Sequence, residues 1–130
     1  MRLSRLSSEL SWLKMILPVP PVSDPPTEPS ISLSPAFPVY LAGEMVTIEC
    51  VLPNGKSPAQ FRLQKDSISI VDDATNRRSL RYTIQNLTSS SQGLYTCSYK
   101  TMVSGLWVTS SPSQSVPIVL TSESQLRLGL

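Results

Sequence analysis

An all-β fold, an antiparallel β-sandwich, is predicted for this 130-residue chain by three observations. Its middle consists of short runs in which apolar and polar residues alternate, the period of a half-buried strand. Pro, Gly, Asn and Ser separate those runs and supply turns. Its two cysteines fall on the inward phase of one early and one late run. No helical stretch of convincing length interrupts them, which argues against a βαβ unit.

The strands follow in order. Ile31 and Leu33 begin the first, and Val39 to Leu41 continue it after a break at Pro35 and Pro38. After the turn at Gly43-Glu44, Val46, Ile48 and Cys50 share one face and Thr47 and Glu49 the other. The run Gln60 to Gln64 buries Phe61 and Leu63, leaves Arg62 in water, and closes at Lys65-Asp66. Ser67 to Val71 comes next, then the polar stretch Asp72 to Arg78. Leu80, Tyr82 and Ile84 alternate with Arg81, Thr83 and Gln85; Tyr95, Cys97 and Tyr99 alternate with Thr96, Ser98 and Lys100. Val116, Ile118 and Leu120 face one way in the last strand. About seven strands is the complement of a two-sheet sandwich.

Cys50 and Cys97 are 47 positions apart. Their inward phase makes a bridge between facing sheets sterically natural, and closing that loop stabilises by roughly 4 kcal/mol on the chain-entropy estimate. The other reading is two buried thiols acting as small hydrophobes.

Composition excludes much chemistry. There is no histidine, which removes the Ser-His-Asp, Cys-His and His-ligated metal sites together. Two cysteines cannot complete a structural zinc site, so neither metal nor cofactor is expected. The five glycines form no phosphate-cradling loop. Ser11 to Lys14 fits S-x-x-K, but its partner motifs are missing and the match lies outside the predicted domain. A net charge of +2 gives no basic face for a nucleic acid.

Six of the 12 prolines lie between Pro18 and Pro29. Without amide hydrogens and with φ fixed, that run is an extended, semi-rigid linker. Residues 1–29 therefore read as a leader or Pro-rich linker, 30–121 as the domain, and 122–130 as a tail. Arg2 and Arg5 suit the start of a signal peptide, but Glu9 and Lys14 interrupt its apolar core and Pro18 stops it. No run approaches the ~20 apolar residues that span a bilayer.

The chain resembles an immunoglobulin domain over about Ser30 to Thr121. The residues that carry this are Gly43 to Cys50 and Ser91-Gln92-Gly93-Leu94-Tyr95-Thr96-Cys97, which matches D-x-G-x-Y-x-C with Ser91 in place of the aspartate. The resemblance implies an inter-sheet Cys50–Cys97 disulfide and a Tyr95 hydroxyl bonded to an upstream backbone group. Phe61 stands where the family buries a tryptophan against the disulfide, and it remains a large apolar plug. The cysteine spacing leaves little room for the C′ and C″ strands of a variable-type domain, so a C2-like sandwich is expected. Pro38 to Glu44, Phe61 to Asp66, Cys97 to Lys100, Gly105 to Trp107 and Ser111 to Val116 are similar to Fc-receptor-like and leukocyte-receptor-type domains.

That likeness implies a cell-surface or secreted immune-type module, extracellular, that binds a protein ligand on another cell or in plasma without catalysis. The loop Thr101 to Leu106, carrying Met102 and Val103, is the expected contact, being at the end of the sandwich where such folds carry binding loops. Trp107 reads first as packing across the sandwich end and second as an exposed anchor joined to that contact. Asn86-Leu87-Thr88 is a glycosylation sequon at a strand end. Arg77, Arg78 and Arg81 form a basic cluster, read as a solvated face rather than a site for sialic acid, heparin or an acidic patch. The alternatives are a secreted Ig-domain glycoprotein and an intracellular structural Ig domain with reduced cysteines.

Overall fold

A computed structural model describes residues 25–122. The signal-peptide and S-x-x-K readings, most of the proline run and most of the tail lie outside the described residues. The strands are β1 (Ser30–Ser34), β2 (Tyr40–Leu41), β3 (Val46–Val51), β4 (Gln60–Lys65), β5 (Ile68–Asp72), β6 (Ser79–Ile84), β7 (Gly93–Val103), β8 (Leu106–Thr109), β9 (Val116–Ile118) and β10 (Leu120–Thr121). A single 3₁₀ turn, Ser89–Ser91, precedes β7.

Alternation decides which face each strand buries. Val46, Ile48 and Cys50 of β3 are buried, as are Phe61 and Leu63 of β4 and Tyr95, Cys97 and Tyr99 of β7. Two sheets close over this core. One has the order β1-β3-β6, all antiparallel. The other has five strands, β5-β4-β7-β8 with β9 also on β7. A short parallel pair joins β2 to β10. The Cys50–Cys97 disulfide joins β3 to β7 across the core, with Cα atoms 6.5 Å apart.

β5 pairs antiparallel with β4, so the first of the two extra strands expected to be absent is present. The reason is local. Asp66 and Ser67 both take positive φ, 50° and 70°, the conformation of a tight hairpin turn whose twist matches the strands. The chain therefore folds straight back on β4. Nothing extends the sheet beyond β5 among the described residues, and the sandwich is C2-like.

The approach to β7 is held by close contacts. Asp66 and Leu94 exchange backbone and side-chain bonds, with the Leu94 amide donating to Asp66 Oδ1 at 3.0 Å and the Asp66 amide to the Leu94 carbonyl at 2.9 Å. A Cβ on Gly93, whose φ is 155°, would lie 2.7 Å from Asp66 Oδ2. Glycine suits the site because a Cβ would press on the Asp66 carboxylate and the Lys65 side chain, and because the positive φ is strained for other residues. Ser91, in the place of the usual aspartate, accepts from the Thr88 amide through its hydroxyl at 3.0 Å. Its carbonyl accepts from the Tyr95 hydroxyl at 2.5 Å.

The strand after the β7–β8 hairpin is broken between Thr109 and Val116, yet β7 keeps its partners. The Tyr99 amide donates to Ser110 Oγ at 3.1 Å and the Cys97 amide to Ser113 Oγ at 2.9 Å. Ser110 and Ser113 are themselves buried. At the other edge of the strand run, Pro29 is fully buried and the Tyr99 hydroxyl donates to the Thr27 carbonyl at 2.7 Å. No helix among the described residues is long and apolar enough to cross a membrane.

Candidate functional site

The segment Thr101 to Leu106 is a hairpin, which corrects the expected loop. Thr101, Met102 and Val103 belong to β7, and only Ser104 and Gly105 make the turn, both with positive φ of 51° and 84°. Such a two-residue turn carries the strand pairing to its tip. Met102 lies opposite Trp107, and Val103 opposite Leu106.

Strand alternation then separates the expected contact residues. Met102 and Trp107 share the outer face of the five-stranded sheet with Lys100 and Thr109, while Val103 and Leu106 face the other way. The hairpin runs past the end of the core, so both faces meet water. Met102 is 50% exposed, Val103 49% and Leu106 70%. Trp107 is 49% exposed, which overturns its reading as a ring packed across the sandwich end. Its indole is instead covered by the Lys100 ammonium, 5.4 Å from the ring centre.

Down the same face, the Arg62 guanidinium binds Asp72 at 2.6 Å, and Ser69 adds a hydroxyl at 2.9 Å. These hydrogen bonds, with the charges of Arg62 and Lys100, hold the Asp72 carboxyl below its ordinary pKa. Asp73 is held low by Thr75, whose hydroxyl and amide both donate to it, and by Arg77. The sequence cluster of arginines is dispersed. Arg77 pairs with Asp73, and Arg81 of β6 approaches Glu49 of β3 at 3.6 Å on the opposite sheet.

The two core residues singled out in the sequence are both buried, at opposite ends of the β4–β7 pairing. Phe61 is buried with its ring 6.2 Å from that of Tyr99, and Tyr95 is buried beneath the 3₁₀ turn. Burial, then the nearby charges of Tyr82 and Asp66, pushes the Tyr95 hydroxyl above its ordinary pKa of 10.0. Asn86 lies exposed just beyond β6, while the next residue, Leu87, is completely buried and pins the loop by exchanging backbone bonds with Gly43 and Glu44. Among the described residues no group of three or more acidic, histidine or cysteine side chains is arranged to hold a metal ion.

The immunoglobulin-domain family matches residues 28–120. The chain belongs to that family. Among solved structures, this immunoglobulin domain is similar to CHIR-AB1, with 30% identity, coverage of 72% of this chain and 98% of that one, and a TM-score of 0.58. The second Ig-C2 domain of human Fc-receptor like A shares its fold at 19% identity, covering 73% of this chain and 98% of that one, with a TM-score of 0.51. The Ig7 domain of Dscam1 does so at 23%, covering 75% and 98%, with a TM-score of 0.53. No curated protein matches the sequence.

Sequence reading missed the neighbours of Trp107 on the sheet. Lys100, Ser98, Gln60 and Thr109 carry no motif; they become one surface only through the register of β4, β7 and β8. The alternation of β7 placed Ser98 and Lys100 on the outer face, and that was the one signal available.

Proposed function

We propose that this immunoglobulin domain is the protein-binding module of a cell-surface immune-type receptor, acting by noncovalent recognition and not by catalysis. The single observation that carries the reading is the β7–β8 hairpin, whose paired strands hold Met102, Val103, Leu106 and Trp107 in water on either side of a two-residue turn. Exposed apolar and aromatic side chains on a stiff support cost little entropy on binding, and aromatic anchors dominate interface energetics. The sequence resemblance to Fc-receptor-like and leukocyte-receptor-type domains, with the structural likeness to CHIR-AB1 and to an Ig-C2 domain of Fc-receptor like A, supports the receptor role, and the inter-sheet disulfide supports an oxidising, extracellular compartment. Residues 30–121 are the binding domain in this reading, and Asn86 carries an N-linked glycan.

The test is binding of the multimerised domain to arrayed extracellular proteins. A captured protein is expected to lose at least about tenfold in affinity, ~1.4 kcal/mol, to Met102→Ala and to Trp107→Ala. Capture unaffected by both variants refutes the hairpin as the contact. Expression in secretory cells is expected to yield a species whose mass falls with glycosidase treatment and with Asn86→Gln.

A further inference from the structure

The outer face of the five-stranded sheet carries polar groups that nothing in the domain uses. Register sets Gln60, Lys100 and Thr109 side by side across β4, β7 and β8. The adjoining row is Asp72, Arg62 and Ser98 across β5, β4 and β7. Neighbouring strands are about 4.8 Å apart, so each row spans roughly 10 Å. Both rows line one half-open cleft of about 240 Å³.

Two of those groups are short of partners. The Lys100 ammonium has no carboxylate at ion-pair distance among the described residues; it lies over the Trp107 ring and acts on Asp72 only through its charge at longer range. Ser98 is 8% exposed, yet its hydroxyl meets no hydrogen-bond partner among the described residues. A buried hydroxyl left so costs about 1–3 kcal/mol, which a ligand atom placed against it offsets. The Gln60 amide and Thr109 hydroxyl stand beside them, equally uncommitted.

We propose that this cleft binds a sugar bearing a carboxylate, with the carboxylate on Lys100 and ring hydroxyls on Ser98, Gln60 and Thr109, while Trp107, outside the cleft lining, holds the Lys100 ammonium in place. The chemistry selects the class. A lone aspartate or glutamate from a protein partner would use the ammonium and leave the hydroxyls and amide unmet. Asp72 and Asp73 on the near rim repel any anion, and a doubly charged phosphate or sulfate about twice as strongly as a singly charged carboxylate. The volume is below the roughly 300–1,000 Å³ of sites for drug-sized ligands and suits a single ring. The site goes beyond the hairpin reading and stands whether or not Met102 and Val103 touch a protein.

The experiment is amide-resolved NMR titration of the intact chain with four probes. These are the methyl α-glycoside of N-acetylneuraminic acid, methyl β-glucuronide, neutral methyl β-galactoside, and N-acetylglutamate amide. At least one acidic sugar is expected to move the Ser98, Lys100 and Thr109 amides and the Trp107 indole N–H, saturating at about millimolar concentration. The galactoside and the glutamate amide are expected to bind at least roughly tenfold more weakly, and Lys100→Gln and Ser98→Ala each to weaken the acidic sugar by about the same factor. The proposal fails if neither acidic sugar gives a saturable shift at these residues, or if the neutral sugar matches them. It fails equally if the glutamate amide binds as tightly, which assigns the cleft to a protein carboxylate, or if both variants, folded by their spectra, bind unchanged. A hairpin that captures a protein while the sugars fail leaves the protein-binding reading in place and removes this one.

Discussion

The hydroxyl of Ser113 accepts the amide hydrogen of Cys97 at 2.9 Å, in the place a backbone carbonyl of the neighbouring strand would occupy. Ser110 does the same for Tyr99. Two side chains thus complete a ladder that the Ser110–Ser115 excursion would otherwise leave open beside the disulfide.

Ser113→Ala removes the acceptor and strands a buried amide. Chemical denaturation is expected to show a loss of about 1–3 kcal/mol. A loss below about 0.5 kcal/mol, the size of an ordinary surface substitution, would mean the hydroxyl is not what satisfies Cys97.

Gly93→Ala places a methyl group against Asp66 and holds a non-glycine residue at positive φ. The expected loss is about 1–3 kcal/mol in thermal or denaturant unfolding. Because the clash is with the Asp66 carboxylate, adding Asp66→Ala should cost less than the two single losses summed, and strict additivity would show that the contact is not the cause.

Removing the cross-link with Cys50→Ala and Cys97→Ala should cost roughly 4 kcal/mol on the loop-entropy estimate, with a further cavity cost. Intact mass before and after reduction is expected to rise by about two hydrogens, the signature of one bridge. An unchanged mass counts against both the bridge and the extracellular assignment.

Stability should fall at alkaline pH. The folded-state pKa of Tyr95 is raised above 10.0 by burial. The unfolded chain therefore gives up that proton more readily, so the contribution of Tyr95 is complete below pH 10 and is lost as pH rises through the folded value. Tyr99, raised by burial and then by Glu28, acts in the same sense. Melting temperatures followed from neutral to strongly alkaline pH should decline, and Tyr95→Phe should flatten the decline while lowering stability at neutral pH. An equally steep decline in Tyr95→Phe would place the titration elsewhere.

The strands were legible because period two survives in a sandwich with one wet and one dry face. The phases of β3, β4 and β7, the inward cysteines and the Gly93-x-Tyr95-x-Cys97 approach all follow from it. What was not legible depended on turns and register. Asp66-Ser67 and Ser104-Gly105 adopt left-handed backbone with only one glycine among the four residues, so neither hairpin announced itself, and the pairing of β5 with β4 and the extension of β7 were missed although the strand over Ser67 to Val71 was read. Trp107 looked like core because tryptophan is bulky and apolar, but its place on β8 past the end of the core exposes it. The row Gln60, Lys100 and Thr109 draws on three strands distant in sequence, and no local pattern joins them.

The interruption between β8 and β9 also bears on self-association. A continuous last strand would present an open row of amides and carbonyls at the sheet edge, a template for another chain. Here that edge is divided into four residues of β8 and three of β9, and Pro117 at the centre of β9 has no amide hydrogen to offer. The serine hydroxyls that repair the interior ladder thereby let this outer edge stay short, without a continuous row of amides for another chain to pair with.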